Sequence, residues 1–387
     1  MTEKNIALII NYPIKDQVKK GNFDIIHVIL NNLLNRFDKV YVISLKDNSK
    51  QQNYVSLELD ERIIIKPIRG FGNKAPVNSI LSVNYELYNV YEYLKDKNIV
   101  VIRAFATLMS GYIATNIAKR LEIPSVVSVH VDQELVEKGE KYLGLVRNVS
   151  LEFEKMVLKR ATMIPVISEY IRDYVKKLGV NDERAYIHPN FTYDDIFKPL
   201  KKVVLHKKII CVCRLERWKY PHMILEAMPK ILVEHPNATL YFAGKGSMED
   251  EMKKRTKELG IEDKVFFLGE IDHLKELPNI EAGCDLFACG IAGFALIEAM
   301  SCGLPIIVGD YEWAKEVVTD GMNGYLIKHI SNSEEYAFKI NYLFSHPEEI
   351  KRMSETNRFV AMKRFSKEAF EERELKIYDE VLNVKIL

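Results

Sequence analysis

The sequence predicts an α/β protein in which two parallel-sheet domains face a cleft. Three observations predict it. At 387 residues the chain exceeds one ordinary hydrophobic core, so two domains are the default. Short apolar runs alternate with longer amphipathic stretches almost from end to end, as in sheets covered by helices on both faces. The same pattern then restarts at Lys208, after a change of texture between Phe191 and Lys208.

The elements follow in order. In the first half the strand-like runs are Ile6–Asn11, Val40–Ser44, Ile63–Pro67, Ile99–Arg103, Ser125–His130 and Met163–Ile167. Asp24–Phe37 and Gly111–Leu121 carry apolar residues at helical spacing. An aromatic and acidic turn then leads into Lys198-Pro199-Leu200-Lys201-Lys202, the expected linker. Strands of the second half are Lys208–Cys213, Thr239–Ala243, Val265–Leu268, Leu286–Ala288, Pro305–Val308 and Gly324–Ile327. A charged helix, Ser366–Leu382, closes the chain with no strand after it. The expected domains are therefore 1–197 and 203–364, with a final helical segment at 365–387.

Composition narrows the function. With 48% hydrophobic and 28% charged residues the chain has the profile of a folded globular protein. A formal net charge of +1 supplies no global pull toward nucleic acid or an anionic membrane, so no nucleic-acid partner is expected. No apolar run approaches the roughly 20 residues that span a bilayer. Met1 to Asn5, leading into Ile6-Ala7-Leu8-Ile9-Ile10, reads as a first strand rather than a signal peptide. The cysteines Cys211, Cys213, Cys284, Cys289 and Cys302 form no CxxC pair and sit mostly in apolar runs. They read as buried, reduced thiols rather than as a metal site, which fits the cytoplasm.

Four segments carry candidate chemistry. Gly290-Ile291-Ala292-Gly293-Phe294-Ala295-Leu296-Ile297-Glu298 follows a strand and opens a helix that stops at Gly303. Such a turn offers backbone N–H groups and a positive dipole end to a phosphate. Glu298, about one and a half turns into that helix, can accept two hydroxyl hydrogens from a ribose diol. An ordinary helix with a surface glutamate is the bland alternative. Arg214 and Lys219 flank a strand-to-helix mouth, where two permanent cations can hold a diphosphate and stabilise its leaving charge. A solvated loop pair reads the same way. Gly244-Lys245-Gly246 follows another strand but lacks the third glycine of a dinucleotide fingerprint. His130 closes the strand Val126–His130, at an end that faces the cleft or packs as an ordinary histidine. There is no P-loop, no GxSxG, no HExxH and no Asp-x-Asp.

In order, these segments resemble the retaining GT-B glycosyltransferases, specifically family four (glycosyl transferases group 1). Arg214-Leu215 with Lys219 resembles "G-R-L-x-x-x-K-G", and Phe242-Ala243-Gly244-Lys245-Gly246 resembles "I-x-G-x-G". Val265-Phe266-Phe267-Leu268-Gly269 resembles "V-x-F-L-G", and Glu298-Ala299-Met300-Ser301-Cys302-Gly303-Leu304-Pro305 is similar to "E-A-M-A-C-G-x-P". Glu316-Val317-Val318 with Asp320-Gly321 and Gly324 resembles "E-V-V-x-D-G-x-x-G", while Pro165–Ser168 and Ile187–Asn190 match weaker segments of the first half.

The resemblance implies two Rossmann-like domains, a terminal helix returning to the first domain, and a nucleoside-diphosphate sugar as donor. It implies no cofactor and no metal, and an acceptor that is a glycan or a lipid-linked glycan. Arg214 and Lys219 would stabilise the leaving diphosphate, and Glu298 would hold the ribose. The backbone of Gly293, Phe294 and Ala295 would approach the distal phosphate, and Glu270 and Ile271 would line the base site. His130 would sit beside the transferred sugar, with Gly244 and Gly21 in the donor-side loops.

The departures fall on the sugar side. The position eight residues before Glu298, a glutamate in the family, is Gly290; the family's glycine pair is Glu312-Trp313; the glycine after Lys219 is Tyr220; and Lys20-Gly21-Asn22-Phe23 keeps one glycine of two. They leave open a catalytically silent partner protein that binds nucleotide or glycan, and a nucleotide-sugar epimerase. Lys138–Arg160 mixes cations with apolar residues and can also be read as a basic amphipathic surface helix, a route to peripheral membrane contact at the inner face.

Overall fold

The computed structural model describes residues 3–11, 13–14, 23–45, 47, 59–68, 76–132, 144–200, 205–311 and 313–384. These form two compact units, Met1–His188 with Glu371–Leu387, and Pro189–Phe370.

In the first unit β1 (Asn5–Ile10), β2 (Lys39–Leu45), β3 (Ile63–Ile68), β4 (Ile99–Ala104) and β5 (Ser125–Val127) make a parallel sheet ordered β3-β2-β1-β4-β5. All six residues of β1 are buried, as required of a central strand with helices on both faces. A short parallel pair, β6 (Ile164–Val166) and β7 (Ala185–Ile187), follows; isolated bridges Val126–Met163 and Val129–Val166 tie it to the end of β5.

The second unit restarts with β8 (Lys208–Val212), β9 (Thr239–Ala243), β10 (Val265–Gly269), β11 (Leu286–Cys289), β12 (Ile306–Gly309) and β13 (Gly324–Ile327). Its order, β10-β9-β8-β11-β12-β13, reverses direction between β8 and β11. That reversal is the switch point at which doubly wound sheets open a crevice beyond their strand ends. Apolar residues fill both units, and no described helix is long and apolar enough to cross a membrane.

Several expectations shift. The run Ser125–His130 is regular strand only to Val127; beyond it Ser128 N bonds to Ala104 O and Val129 N to Pro165 O, so the backbone passes between two neighbours. The helix expected over Asp24–Phe37 spans Phe23–Leu33, because Leu34, Asn35 and Arg36 close tighter turns onto Asn31, Asn32 and Leu33. The helix Pro76–Leu94 and the strand β7 have no counterpart in the sequence reading.

The division between units falls at His188/Pro189, ahead of the linker expected at 198–202. Phe197 is fully buried in the second core, and Arg358 donates to the carbonyls of Phe197 and Asp194. The return to the first unit likewise begins at Glu371, inside the helix Lys367–Asn383, rather than at 365.

That helix is anchored by charge as well as by packing. Phe37 meets Tyr378 edge-on at 5.2 Å. Beneath them the fully buried Glu374 lies 3.3 Å from Arg103 Nη2, 2.7 Å from His188 Nε2, and accepts from Tyr378 Oη at 2.7 Å. Burial alone would raise its pKa, but the Arg103 charge and these hydrogen bonds hold it at about 2.

Candidate donor site

The site is built on loops after β8, β9, β10 and β11. Two glycines allow the first two to meet. At Gly244, with φ of +132°, a Cβ would fall 2.1 Å from Cys213 O; at Gly246 it would fall 2.3 Å from Leu215 O. No side chain fits either gap. The joint is fastened by Leu215 N to Lys245 O at 2.9 Å, and by Glu216, which accepts from Ser247 N at 3.0 Å and Ser247 Oγ at 2.6 Å. These bonds from Ser247 keep the Glu216 carboxyl below its ordinary range. The structure thus gives Gly244 a backbone-packing reason, whatever it does for a ligand.

Arg214 lies two residues past β8, and Lys219 ends a single 3-10 turn, Arg217–Lys219. Both cations rest on one indole: Arg214 Cζ lies 5.2 Å and Lys219 Nζ 4.2 Å from the Trp218 ring centroid. A π-face that holds two like charges offsets part of their repulsion and preorganises them for an anion. Ile291 N donates to Lys219 O at 3.1 Å, which ties this loop to the one that leaves β11.

The loop after β11 leads into the seven-residue helix Ala295–Ser301, so Glu298 lies in its first turn rather than one and a half turns in. Gly293 faces open space, where a Cβ would meet nothing within 4 Å. The Phe294 and Ala295 N–H groups belong to the stretch of a helix start that has no acceptor within the helix. Glu298 is 2% exposed, and His273 Nε2 is hydrogen-bonded to its Oε1. Burial would lower the His273 pKa, but the Glu298 hydrogen bond and charge outweigh it and raise it. Phe197 and Phe294 flank the imidazole at 5.6 and 6.5 Å. Below Glu298, burial and the Glu298 charge push the Glu281 carboxyl well up; Cys302 Sγ lies 3.8 Å from its Oε2.

Glu270 is exposed just past β10, and Ile271 packs on the second core. The structure therefore gathers Arg214, Lys219, Gly244, Glu270, Ile271, Gly293, Phe294, Ala295 and Glu298 at the strand ends of the second unit. His130 belongs to the first unit, half-buried, with Phe105 at 6.4 Å between ring centroids. Gly21 and Glu312 lie outside the described residues. So do residues 138–143 of the expected amphipathic segment and the side chains of residues 144–148. The later turns of the helix Gly144–Arg160 pack Phe153, Val157 and Leu158 into the first core, and buried Glu154 accepts from Thr107 Oγ1 at 2.7 Å. Those apolar residues face protein.

Reading the sequence missed three features. His273 is one; its only signal was its place shortly after the "F-L-G" strand. The second is the relation of Gly290 to Tyr220. A Cβ at Gly290 would lie 2.5 Å from Lys219 O and 2.6 Å from Tyr220 Cβ. Two separate departures from the family pattern therefore occupy one space. The third is convergence of three of the five sulfurs, Cys211, Cys213 and Cys289.

Comparison with known proteins bears on the family and the fold. The family model "Glycosyltransferase Family 4" matches residues 25–195, and "Glycosyl transferases group 1" matches residues 193–359. Spore coat protein SA of Bacillus subtilis is 32% identical over 188 residues, which are 45% of this chain and 50% of that protein, so the match spans about half of this relative's length. A glycosyltransferase of Methanocaldococcus jannaschii is 26% identical over 277 residues, covering 67% of this chain and 69% of that one. Among solved structures, HepE of Anabaena in complex with UDP superposes with a TM-score of 0.74 at 18% identity, over 98% of this chain and 100% of that chain. Sucrose-phosphate synthase of Thermosynechococcus elongatus gives a TM-score of 0.75 at 17% identity, over 98% and 99% of the two chains. With both halves matched by adjoining models and both sheets wound alike, the chain belongs to the GT-B glycosyltransferases of the family-four, group 1 kind.

Proposed function

We propose that the protein transfers a hexosyl group from a nucleoside-diphosphate sugar to a hydroxyl of a glycan or lipid-linked glycan, with retention of configuration and without a metal. One observation carries this reading: Arg214 and Lys219 sit together on Trp218, on a loop hydrogen-bonded to the one that delivers Glu298. In the proposed reaction the bond between the anomeric carbon and the diphosphate oxygen breaks, the acceptor hydroxyl attacks the same face that the diphosphate leaves, and its proton passes to the departing diphosphate. The two cations meet the negative charge that grows on the diphosphate. Glu298 accepts the ribose hydroxyls once His273 yields or shares its oxygen, and the Gly293–Ala295 backbone approaches the distal phosphate. Glu270 and Ile271 border the base. UDP is the first nucleotide to try, since HepE was solved with UDP bound.

Loss of one charge-stabilising contact costs on the order of 10²–10³ in rate. Arg214→Ala is therefore expected to lose that much turnover on an identified donor while still folding; wild-type turnover in this variant would rule the mechanism out. Nucleotide binding without transfer or donor hydrolysis in the wild type would instead indicate a binding partner protein.

A further inference from the structure

Sulfur, rather than carboxylate, supplies the other organised cluster of the second unit. Cys211 lies in β8, Cys213 just beyond it, and Cys289 ends β11, the strand across the switch point. Cys211 and Cys213 are two residues apart, the spacing that puts two side chains on one face of a strand. Their sulfurs lie 3.8 Å apart, and all three Sγ atoms lie within 4.8 Å of one another. Cys211 and Cys289 are fully buried and Cys213 is half-buried, so the cluster has one member nearer the solvent. Cys284 and Cys302, the other two cysteines, stand outside it.

The spacing is the informative quantity. A tetrahedral cation bound at Zn–S distances of about 2.3 Å holds its sulfurs about 3.8 Å apart. A disulfide needs its sulfurs at about 2.05 Å, and cysteines two apart on an extended strand do not reach that geometry easily. Among the described residues no histidine or carboxylate joins the group. An all-sulfur donor set selects soft cations over Mg(II), Ca(II) or Mn(II).

We propose that Cys211, Cys213 and Cys289 form a three-thiolate binding site for a soft d10 cation, Zn(II) or Cu(I). Binding releases the thiol protons as the metal–sulfur bonds form, with no change of oxidation state. Zn(II) would complete its shell with water on the Cys213 side, and Cu(I) would sit trigonally among the sulfurs. The site is separate from the donor chemistry but touches it through the backbone. Cys213 precedes Arg214, and Gly290, which follows Cys289, packs on the Lys219 carbonyl. Loading is therefore expected to stiffen the loop that carries both cations.

The test uses the full chain, reduced and stripped with chelator, then offered Zn(II) or Cu(I) and desalted, with Co(II) as a coloured stand-in for Zn(II). The expected result is one tightly held equivalent and a thiolate-to-Co(II) absorption band. Both should disappear in Cys213→Ser and persist in Cys284→Ser and Cys302→Ser. Should Cys213→Ser fail to fold, alkylation of the wild type decides: bound metal should protect Cys213, and removal of the metal should expose it. No retained metal, retention that survives Cys213→Ser in a folded variant, or a Cys213–Cys289 disulfide found by non-reducing peptide mapping in place of metal uptake would each overturn the proposal.

Discussion

Gly290→Ala is a one-carbon substitution whose cost can be worked from the structure. The new Cβ would lie 2.5 Å from Lys219 O and 2.6 Å from Tyr220 Cβ, against an ordinary van der Waals approach of 3.4 Å or more. Neither neighbour is the free end of a flexible side chain, so the backbone of the Lys219–Tyr220 turn must move. Overpacking of this kind typically costs about 1–3 kcal/mol. Tyr220 also holds a left-handed backbone, φ +55°, worth roughly 1–2 kcal/mol of strain for a non-glycine residue. Tyr220→Gly relieves that strain while giving up the stack of Tyr220 on His222 at 6.0 Å. Its net effect on stability is therefore expected to be small, within about 1 kcal/mol. The double variant should recover much of what Gly290→Ala loses, because the turn gains freedom and the Tyr220 Cβ is gone. Residues that share a packed space couple by about 0.5–3 kcal/mol in such cycles. Urea denaturation of the four proteins measures the coupling directly. Additivity within about 0.5 kcal/mol would show that the two positions do not share one space, and the reciprocal-replacement argument would then fail.

Three further outcomes are expected. Glu374→Gln should cost about 3–5 kcal/mol at neutral pH, since it leaves the buried Arg103 uncompensated; because the Glu374 pKa is lowered on folding to about 2, the wild type should lose this contribution as pH falls from about 4.5 to about 2, and the variant should lack that slope in acid-denaturation curves. His273 has a raised pKa, so its pairing with Glu298 is complete below about 6.5 and fades as pH rises through the folded value. If Glu298 binds ribose, UDP affinity by calorimetry should rise with pH across that window in the wild type and flatten in His273→Ala; equal slopes would remove His273 from the site. Finally, Glu281→Gln should be at least as stable as the wild type at pH 7–8 in thermal melts, because burial and Glu298 raise the Glu281 pKa and make its ionisation unfavourable to the fold.

Sheet membership was legible because it depends on local apolar runs. Every run read as a strand is one, with ends moved by a residue or so except at Ser125–His130, where Val129 leaves one ladder for another. β7 escaped notice because three residues, Ala185–Ile187, are too few to show alternation. The division between the compact units at His188/Pro189 differs from the linker read at 198–202 for a related reason. Residues 189–197 read as polar turn, yet Phe197 and the carbonyls capped by Arg358 commit them to the second core.

The places of the candidate site residues were legible to the extent that they follow from the backbone. Arg214, Lys219 and Glu298 follow strand ends, and a strand end can be counted from sequence. What a side chain touches across the sheet cannot be counted in that way. Gly290 and Tyr220 looked like two unrelated losses, a missing carboxylate and a missing glycine. In space the Tyr220 Cβ lies 2.6 Å from where a side chain at 290 would begin. Likewise Cys211 and Cys213 carried a readable hint in their two-residue spacing, but Cys289 joins them only because β11 pairs with β8 at the switch point. The same reversal of strand order that opens the donor crevice brings the third sulfur in. Fold topology therefore decides both what this site binds and which of its neighbours are coupled to it, and neither relation could be read along the chain.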